Sequence, residues 1–294
     1  MRCLASAAVL FLLAAPPVGA RDFFRSLELR LSGGFLDVHG GDFSTYHTDT
    51  QLYYDELLRP FAFERTGALR ALGSAREIEL EAVLHISRRL AVGFGVGYLE
   101  TGDTGSVTWR HAEHGDMQLD GLLAVNAIPL RLTGYVTPLR TSFVNGYLFG
   151  GGGIYLLDSD SRYEVDSRIV GSEMLLKEDY ESSGTGFGLH AGLGLEIKLG
   201  ASLRVFVEAT ARRATVGNLE GNSSYYIRPS TGGAGSGEVW YFESYSDEVA
   251  RWLSGVRYGD RPEGEALRDV RRLRVDLSGI GLRIGFRLGL GSWD

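Results

Sequence analysis

Three features are scarce in this chain: cysteine, excess positive charge and long apolar runs. The single cysteine, Cys3, lies close to the N-terminus and lacks the spacing of a lipoprotein cleavage motif. Neither disulfide bonds nor a lipid anchor are therefore indicated. The formal net charge is −7, which argues against nucleic acid as a partner.

Long apolar runs are confined to the N-terminus. Arg2, the apolar stretch from Leu4 to Ala15 and the small residues Val18-Gly19-Ala20 stand in the order of a secretory signal peptide. No other run approaches the roughly 18 apolar residues of a membrane-spanning helix. We expect a signal peptide at 1–20 and one mature domain at 21–294, which would meet a membrane only through strands. A cysteine-free exported chain suits the periplasm or the outer membrane.

The last part of the chain alternates strictly in polarity. The stretch Leu277 to Leu290, LSGIGLRIGFRLGL, has large apolar residues at every second position, which is a strand period and not a helix period. The intervening positions are glycine, Arg283 and Arg287, and not the Lys, Glu and Thr of a water-exposed face. We interpret the apolar face as lipid-facing and the small face as lining a narrow lumen. In lipid such a sheet must close into a barrel, because its backbone groups have no water to bond.

Seven further segments alternate in a similar way. They are 27–38, 77–87, 91–100, 126–137, 143–157, 186–199 and 202–214. The connections go long, short, long, short, and the long ones are about 39–74, 101–116, 158–182 and 216–270. This rhythm predicts an all-β fold, an eight-stranded antiparallel up-and-down transmembrane β-barrel with long extracellular loops and short periplasmic turns.

Two segments deviate from the simple pattern. The run Gly150 to Gly153 blurs the alternation of the fifth segment, so which of its faces points outward is left open. Pro129 in the fourth segment has no backbone N–H to donate, which predicts a bulge or a local break there.

The strand sequences resemble the OmpA/OmpW-like outer-membrane β-barrel families. The resemblance is carried by AVGFGVGY, NAIPLRLTGYVTP, NGYLFGGGGIYLL, GFGLHAGLGLEIKLG, LRVFVEATARR and the final strand. RIGFRLGL also resembles the C-terminal assembly signal of such barrels, with Arg283, Gly285, Leu288 and Leu290 at the matching positions, although the chain ends on Trp293-Asp294 and not on an aromatic residue. The resemblance implies a Gram-negative outer membrane, with outer-membrane lipids and the barrel insertion machinery as partners. It does not imply one activity, because the fold serves structural proteins, adhesins, solute carriers and lipid enzymes.

Charged residues recur on the inward faces of the expected strands. Eight strands enclose a space that side chains can fill, and charges in that space must be paired to be tolerated. We therefore predict a charged network that closes the lumen, so that the protein is not a general porin. Its predicted members are Glu28, Glu79, Glu81, Glu196 and Glu208 with Arg30, Lys198, Arg204, Arg212, Arg274, Arg283 and Arg287.

Other motifs favour no enzyme, cofactor or metal site. Gly93-x-Gly95-x-Gly97 lacks the following helix of a nucleotide loop. The segment from His111 to Asp116 lacks metal-site spacing, and the one beginning at Asp158 lacks the glycine of a calcium loop. His85 and His190 point inward and would act as bases only beside a serine or an aspartate.

The expected loops contain two possible short helices, Gln51 to Leu58 and Asp247 to Leu253. The tyrosine-rich pieces near 225 and 240–245 suit the upper ends of long strands or an interfacial aromatic belt equally well. We expect a monomeric, non-enzymatic barrel with a structural role or with a surface partner or ligand bound by its loops. The alternatives are a narrow conduit for small or hydrophobic solutes, a lipid-modifying enzyme and a soluble ligand-binding barrel.

Overall fold

The computed structural model describes residues 27–170, 172–228 and 231–290. The expected signal peptide at 1–20 and the terminal pair Trp293-Asp294 lie outside the described residues. No helix within the described ranges is long and apolar enough to cross a membrane.

The described residues form thirteen strands and one α-helix, which is followed by a short 3-10 turn at Arg59–Phe61. In chain order the elements are β1 (Leu27–Asp37), α1 (Asp42–Leu58), β2 (Glu64–Gly67), β3 (Ser74–His85), β4 (Leu90–His111), β5 (Gly115–Arg140), β6 (Val144–Ile169), β7 (Ser172–Lys198), β8 (Leu203–Arg228), β9 (Thr231–Ser246), β10 (Arg251–Tyr258), β11 (Leu267–Arg272), β12 (Val275–Asp276) and β13 (Gly279–Gly289).

Eight of these strands close into a ring. Their hydrogen-bonded order is β1, β3, β4, β5, β6, β7, β8 and β13, and the free edge of β13 pairs with β1. All neighbouring pairs in the ring are antiparallel. The predicted eight-stranded up-and-down barrel is therefore confirmed. Turns at 86–89, 141–143 and 199–202 mark one end, which we call the short-turn end. The opposite end carries α1 and β9 to β12, and we call it the helix end.

Apolar side chains form a belt around the outside of the ring near the short-turn end. Each ring strand contributes at least one residue that is half or more exposed. These residues include Leu31, Ile78, Phe94, Leu132, Leu148, Leu193, Val207, Ile284 and Phe286. The strand register places them side by side, as in the pairs Leu31↔Phe286 and Phe94↔Leu132. The outward direction expected for the apolar faces is thus observed.

The ring strands continue far beyond this belt. Strands β4 to β8 are 22 to 27 residues long, whereas about 9–11 residues cross a bilayer. The loops expected at 101–116, 158–182 and 216–270 were therefore wrong, because most of these residues belong to paired strands. We call residues 101–125, 157–170, 172–184 and 215–228 the barrel extension.

The polarity of the two faces reverses within single strands. In β5, the outward residues Gln118 and Asp120 give way to Ile128 and Leu132, which lie in the belt. The inward residues change in the opposite sense, from Leu119, Leu123 and Val125 to Arg131, Thr133 and Tyr135. The barrel is thus apolar outside and polar inside at the belt, and polar outside and apolar inside in the extension.

The segment expected as the first long loop contains α1. The helix begins at Asp42, nine residues before the expected start at Gln51, and ends at Leu58 as expected. The second expected helix, Asp247 to Leu253, was wrong. Residues 247–250 form a turn in which Ala250 has a φ of 51°, and β10 begins at Arg251 and pairs with β9.

The tyrosine-rich pieces are upper parts of strands, which was one of the two interpretations left open. Tyr225 and Tyr226 lie at the end of β8, and Trp240 to Tyr245 lie in β9. Strand β9 pairs first with β8 and then with both β10 and β11. The insertion between β8 and β13 is therefore a small sheet that continues the barrel wall at the helix end.

In the two segments that deviate from the simple sequence pattern, inward and outward residues still alternate regularly in the structure. The fifth segment keeps odd-numbered residues inside, with Tyr147, Phe149 and Tyr155 buried on both sides of the glycine run. At Pro129 the pairing with β4 is interrupted between Val96↔Leu130 and Leu99↔Ala127 without a change of register. The feature is a local break and not a bulge.

Candidate functional site

The lumen at the level of the belt contains a charged network. Strand alternation turns ten of the predicted members inward, and all ten are buried. They are Glu28, Arg30, Glu79, Glu81, Glu196, Arg204, Glu208, Arg212, Arg283 and Arg287. Glycines on the inward face of β4 make room for them, since a Cβ at Gly95 would lie 2.8 Å from Oε1 of Glu79.

The centre of the network is organised around Arg30. Its Nη1 lies 2.8 Å from Oε2 of Glu81, and its Nη2 pairs with Glu208. The Tyr135 hydroxyl donates to Glu81 at 2.6 Å, and the Tyr147 hydroxyl donates to Glu208 at 2.7 Å. Two carboxylates, one from β3 and one from β8, are thus bound by one guanidinium and two phenols, which offsets the loss of solvation.

A second layer lies nearer the helix end. Arg283 contacts both Glu79 and Glu208 at 2.8 Å. Arg131 pairs with Glu79 and Glu77, and Nη1 of Arg212 lies 3.3 Å from Oε1 of Glu77.

A third layer lies toward the short-turn end. Glu28 is 2.7 Å from Arg204 and 2.9 Å from Nε2 of His85, and Glu196 is 2.8 Å from Arg287. This layer faces a cavity of about 400 Å³ that is also lined by Arg88, Arg140, Asn145 and Tyr147.

Two members of the network were missing from the predicted set, and two predicted members lie outside it. Glu77 and Arg131 are both buried in it, and the alternation of their strands already placed them inward. Lys198 is at the last position of β7, where its Nζ donates to the Thr141 carbonyl at 2.8 Å and water can reach it. Arg274 is exposed, because it lies between β11 and β12 and not in a ring strand. Over the described residues, the network therefore balances six glutamates with six arginines.

An apolar core fills the lumen between this network and the helix end. It joins the inward residues of the barrel extension to Phe43 of α1, which is 2% exposed. Among its members are Leu36, Leu99, Leu123, Val125, Leu157, Val216, Leu219, Leu273 and Leu277. Tyr155 lies at the boundary, with its ring 5.5 Å from the Arg212 guanidinium carbon.

Helix α1 is held inside the barrel extension by polar contacts. His47 is fully buried, and its Nδ1 accepts from the Tyr163 hydroxyl at 3.0 Å while its Nε2 lies 3.2 Å from Asp103. Burial lowers the pKa of His47, and the Asp103 carboxylate only partly offsets this effect. Trp109 donates to Asp55 at 2.9 Å. The helix thus lies in the mouth of the barrel on buried, directional bonds.

The two histidines considered as possible bases, His85 and His190, both lie in the lumen. Nε2 of His190 lies 3.0 Å from the Thr133 hydroxyl, but both residues are buried at the level of the network. His85 contacts Glu28 at the short-turn end.

The predicted assembly-signal residues all lie in the last described stretch. Arg283 and Gly285 face the lumen, while Leu288 and Leu290 are 46% and 42% exposed on the outside. Their role in assembly stays a prediction.

Comparisons with known proteins show distant structural similarity to outer membrane proteins. No protein-family model matches the sequence, and neither does any curated protein. The chain is similar in structure to the outer membrane protein OprG from Pseudomonas aeruginosa, with 11% identity over 90% of this chain and 96% of that chain and a TM-score of 0.33. It is also similar to CarO from Acinetobacter baumannii, with 14% identity over 79% of this chain and 96% of that chain and a TM-score of 0.31. The architecture rests on the chain's own closed ring of strands.

Proposed function

We propose that this protein is a non-enzymatic outer-membrane β-barrel with a sealed lumen, and that it acts through the part of the barrel that extends beyond the membrane. The proposal rests on one observation: the lumen is filled by side chains at two successive levels along the barrel axis. The charged network fills it at the belt, and the apolar core with α1 fills it in the extension.

The apolar belt supports membrane integration. Residues such as Phe94, Leu132 and Phe286 are each more than half exposed, and exposed apolar area of this extent on a soluble protein would promote aggregation. A soluble ligand-binding barrel would instead turn these residues inward. The short-turn end is then periplasmic and the helix end extracellular, as in bacterial barrels with short periplasmic turns.

The filled lumen argues against a general diffusion pore. Ions crossing the belt would have to separate arginine–glutamate pairs that are shielded from water, and breaking such a pair leaves a buried charge without compensation. A route beyond the network would then have to cross the apolar core around Phe43 and Tyr155.

The extracellular part has the properties of an interaction surface. The strands of the barrel extension are paired along their length. The small sheet of β9 to β11 displays arginines stacked on aromatic rings. The Arg268 guanidinium carbon lies 4.2 Å from the Trp252 ring centroid, and that of Arg272 lies 4.4 Å from the Trp240 centroid. Planar cations and aromatic rings are enriched at protein interfaces.

Cysteine labelling on intact cells tests the topology. In a Cys3→Ser background, a Val170→Cys variant at the β6–β7 hairpin should react with a membrane-impermeant maleimide. The matched Gly200→Cys variant, at the β7–β8 turn, should react only after the outer membrane is opened. If only Gly200→Cys is labelled on intact cells, the barrel has the opposite orientation. Equal labelling of both variants in the soluble fraction would refute an outer-membrane barrel.

The cavity of about 400 Å³ at the short-turn end is the one observation that favours a narrow conduit. It ends on Arg204, Arg287 and Glu28, so conduction would require the network to open. A lipid-modifying activity has weaker support, because the Thr133–His190 pair is buried inside the lumen.

A further inference from the structure

A second cavity lies at the extracellular end, and its lining residues differ in charge from those of the cavity at the periplasmic end. Its volume is about 270 Å³, slightly below the range of about 300–1,000 Å³ that small-molecule sites occupy. None of its lining residues belongs to the charged network or to the apolar core around Phe43. The lumen-filling contacts described above therefore do not account for it.

Three elements form its walls. Helix α1 contributes Asp49, Thr50, Tyr53 and Tyr54, which recur at helical spacing and so share one face. The β6–β7 hairpin contributes the cross-strand pairs Tyr163↔Glu178 and Val165↔Leu176. Strands β9 and β10 contribute serines and Leu253. The cavity is thus built from a helix and paired strands and not from a single loop.

The charges of the lining have one sign. Asp49 and Glu178 are its two ionisable carboxylates, and the lining contains no lysine, arginine or histidine. Within the residues that the structure describes, neither carboxylate forms an ion pair. This contrasts with the lumen network, where each carboxylate has an arginine.

Each carboxylate is held in place through one oxygen only. Oδ2 of Asp49 accepts from the backbone N–H and the hydroxyl of Ser254, at 3.0 and 2.7 Å. Oε2 of Glu178 accepts from the Tyr180 hydroxyl at 3.0 Å and from Tyr46 at 3.5 Å. The described residues provide no donor for Oδ1 of Asp49 or for Oε1 of Glu178. Burial also raises the pKa of Glu178 above its ordinary value, as expected for a carboxylate that lacks a nearby cation.

Aromatic rings complete the lining. Tyr53 and Tyr54 lie with their centroids 5.1 Å apart, and the Tyr53 hydroxyl is fixed by a 2.6 Å bond to Glu248. The faces of such rings attract cations, and ammonium ions held by aromatic rings are a recurrent form of recognition. A positively charged ligand would therefore gain both from the rings and from the two unpaired carboxylates.

From this arrangement, we infer that the extracellular cavity is a binding site for a small organic cation, an alkylammonium group bound by Glu178 and Asp49 against Tyr53, Tyr54 and Tyr163. The inference rests on the proposed function, because it names the chemical class of ligand for the extracellular part. An ammonium suits the site better than a bare metal ion, because half of the lining is aromatic or aliphatic.

Calorimetric titration of the folded full chain tests this assignment. The probe is n-butylammonium chloride, n-butanol is the neutral isostere, and the micelle is a maltoside, since amine-oxide detergents would compete for the site. The wild-type protein should bind butylammonium saturably and butanol at least about tenfold more weakly. Glu178→Gln should weaken butylammonium binding by at least about tenfold. The matched variant Glu181→Gln, an exposed carboxylate on the same strand, should bind like wild type.

Three results would overturn the inference: no butylammonium binding by the folded wild-type protein, equal binding by Glu178→Gln and wild type, or binding of calcium chloride but not of butylammonium. Asp49→Asn serves as a second variant if Glu178→Gln fails to fold. Heat-modifiable gel migration of the same sample establishes that the barrel is folded. A folded barrel with the expected cysteine labelling and no ammonium binding refutes this inference alone, whereas reversed labelling refutes the proposed function.

Discussion

Arg283 and Glu79 form an ion pair across a strand that separates them. Strand β1 lies between β13 and β3 in the ring, yet Nη1 of Arg283 is 2.8 Å from Oε2 of Glu79. The pair is possible because β1 presents only small inward residues at this level. Ser32 is paired with Glu79, and a Cβ at Gly34 would lie 2.8 Å from Cγ of Arg283. The network therefore combines pairs between neighbouring strands, such as Arg30–Glu81 and Arg283–Glu208, with contacts that reach past an intervening strand.

Removing one charge from this network should destabilise the barrel strongly. Glu79→Gln keeps the side-chain shape but leaves Arg131 and Arg283 with one carboxylate fewer, which typically costs about 3–5 kcal/mol. Urea unfolding in detergent, followed by tryptophan fluorescence, measures the loss. The matched control is Glu164→Gln, which breaks an exposed pair with Lys177 on the barrel extension. If the two variants unfold at the same urea concentration, the network does not stabilise the barrel.

Inward glycines should resist enlargement where an aromatic ring covers them. A Cβ at Gly194 would overlap the Tyr147 ring, whereas a Cβ at Gly200 has no atom within 4 Å. We expect Gly194→Ala to lower the free energy of unfolding by about 1–3 kcal/mol through overpacking. Gly200→Ala, the control in the short turn, should unfold like wild type. Equal stability of both variants would show that the Tyr147 ring moves aside at little cost.

A charge in the apolar belt should impair membrane insertion. Phe286 is 56% exposed in the belt, and an arginine facing lipid near the midplane costs about 2–4 kcal/mol. Immunoblotting of outer-membrane fractions should therefore find less Phe286→Arg protein than wild-type protein. Val170→Arg replaces an exposed apolar residue beyond the belt and should leave the amount unchanged. Normal levels of Phe286→Arg would contradict the position of the belt in the membrane.

The docking of α1 should weaken in acid through His47. Burial lowers the pKa of His47 in the folded protein, whereas the unfolded chain has an ordinary value of about 6.5. The stability contributed by neutral His47 is thus present above about pH 6.5 and is lost as the pH falls through the folded value. The pKa of Glu178 changes in the opposite direction, because burial raises it above its ordinary value.

Hydrogen exchange of the α1 amides isolates the contribution of His47 when wild type is compared with His47→Gln. Between about pH 7.5 and about pH 5, protection relative to the intrinsic exchange rate should fall more in wild type than in the variant. An identical pH dependence in the two proteins would exclude His47 as its source.

The sequence predicts the part of the barrel that carries the apolar belt much better than the part beyond it. In β13, apolar and small residues alternate strictly, so the strand, its facing and its inward arginines could all be read directly. In β5, the alternation continues through Leu119 and Gln118 with the opposite polarity. A search for outward apolar residues therefore stops where the pattern reverses, and the extension was mistaken for loops.

Long-range pairing accounts for the other errors. The segment from Asp247 to Leu253 has helical spacing, but part of it pairs with β9, and such tertiary pairing overrides a weak local preference. The alternation of their strands correctly places Glu77 and Arg131 on the inward face. Their pairing, however, depends on which side chains meet across the lumen. That proximity is set by the closure of eight strands and not by spacing within any one of them.

Single-channel recording in a planar bilayer tests the sealed lumen most directly. Purified protein is reconstituted into liposomes, its folded state is established by heat-modifiable gel migration, and the liposomes are fused with the bilayer. The filled lumen, with Arg30 bound to Glu81 at 2.8 Å and the apolar core above it, predicts a silent membrane under an applied voltage. A stable, large and weakly selective conductance from the folded barrel would contradict the sealed lumen and favour the conduit.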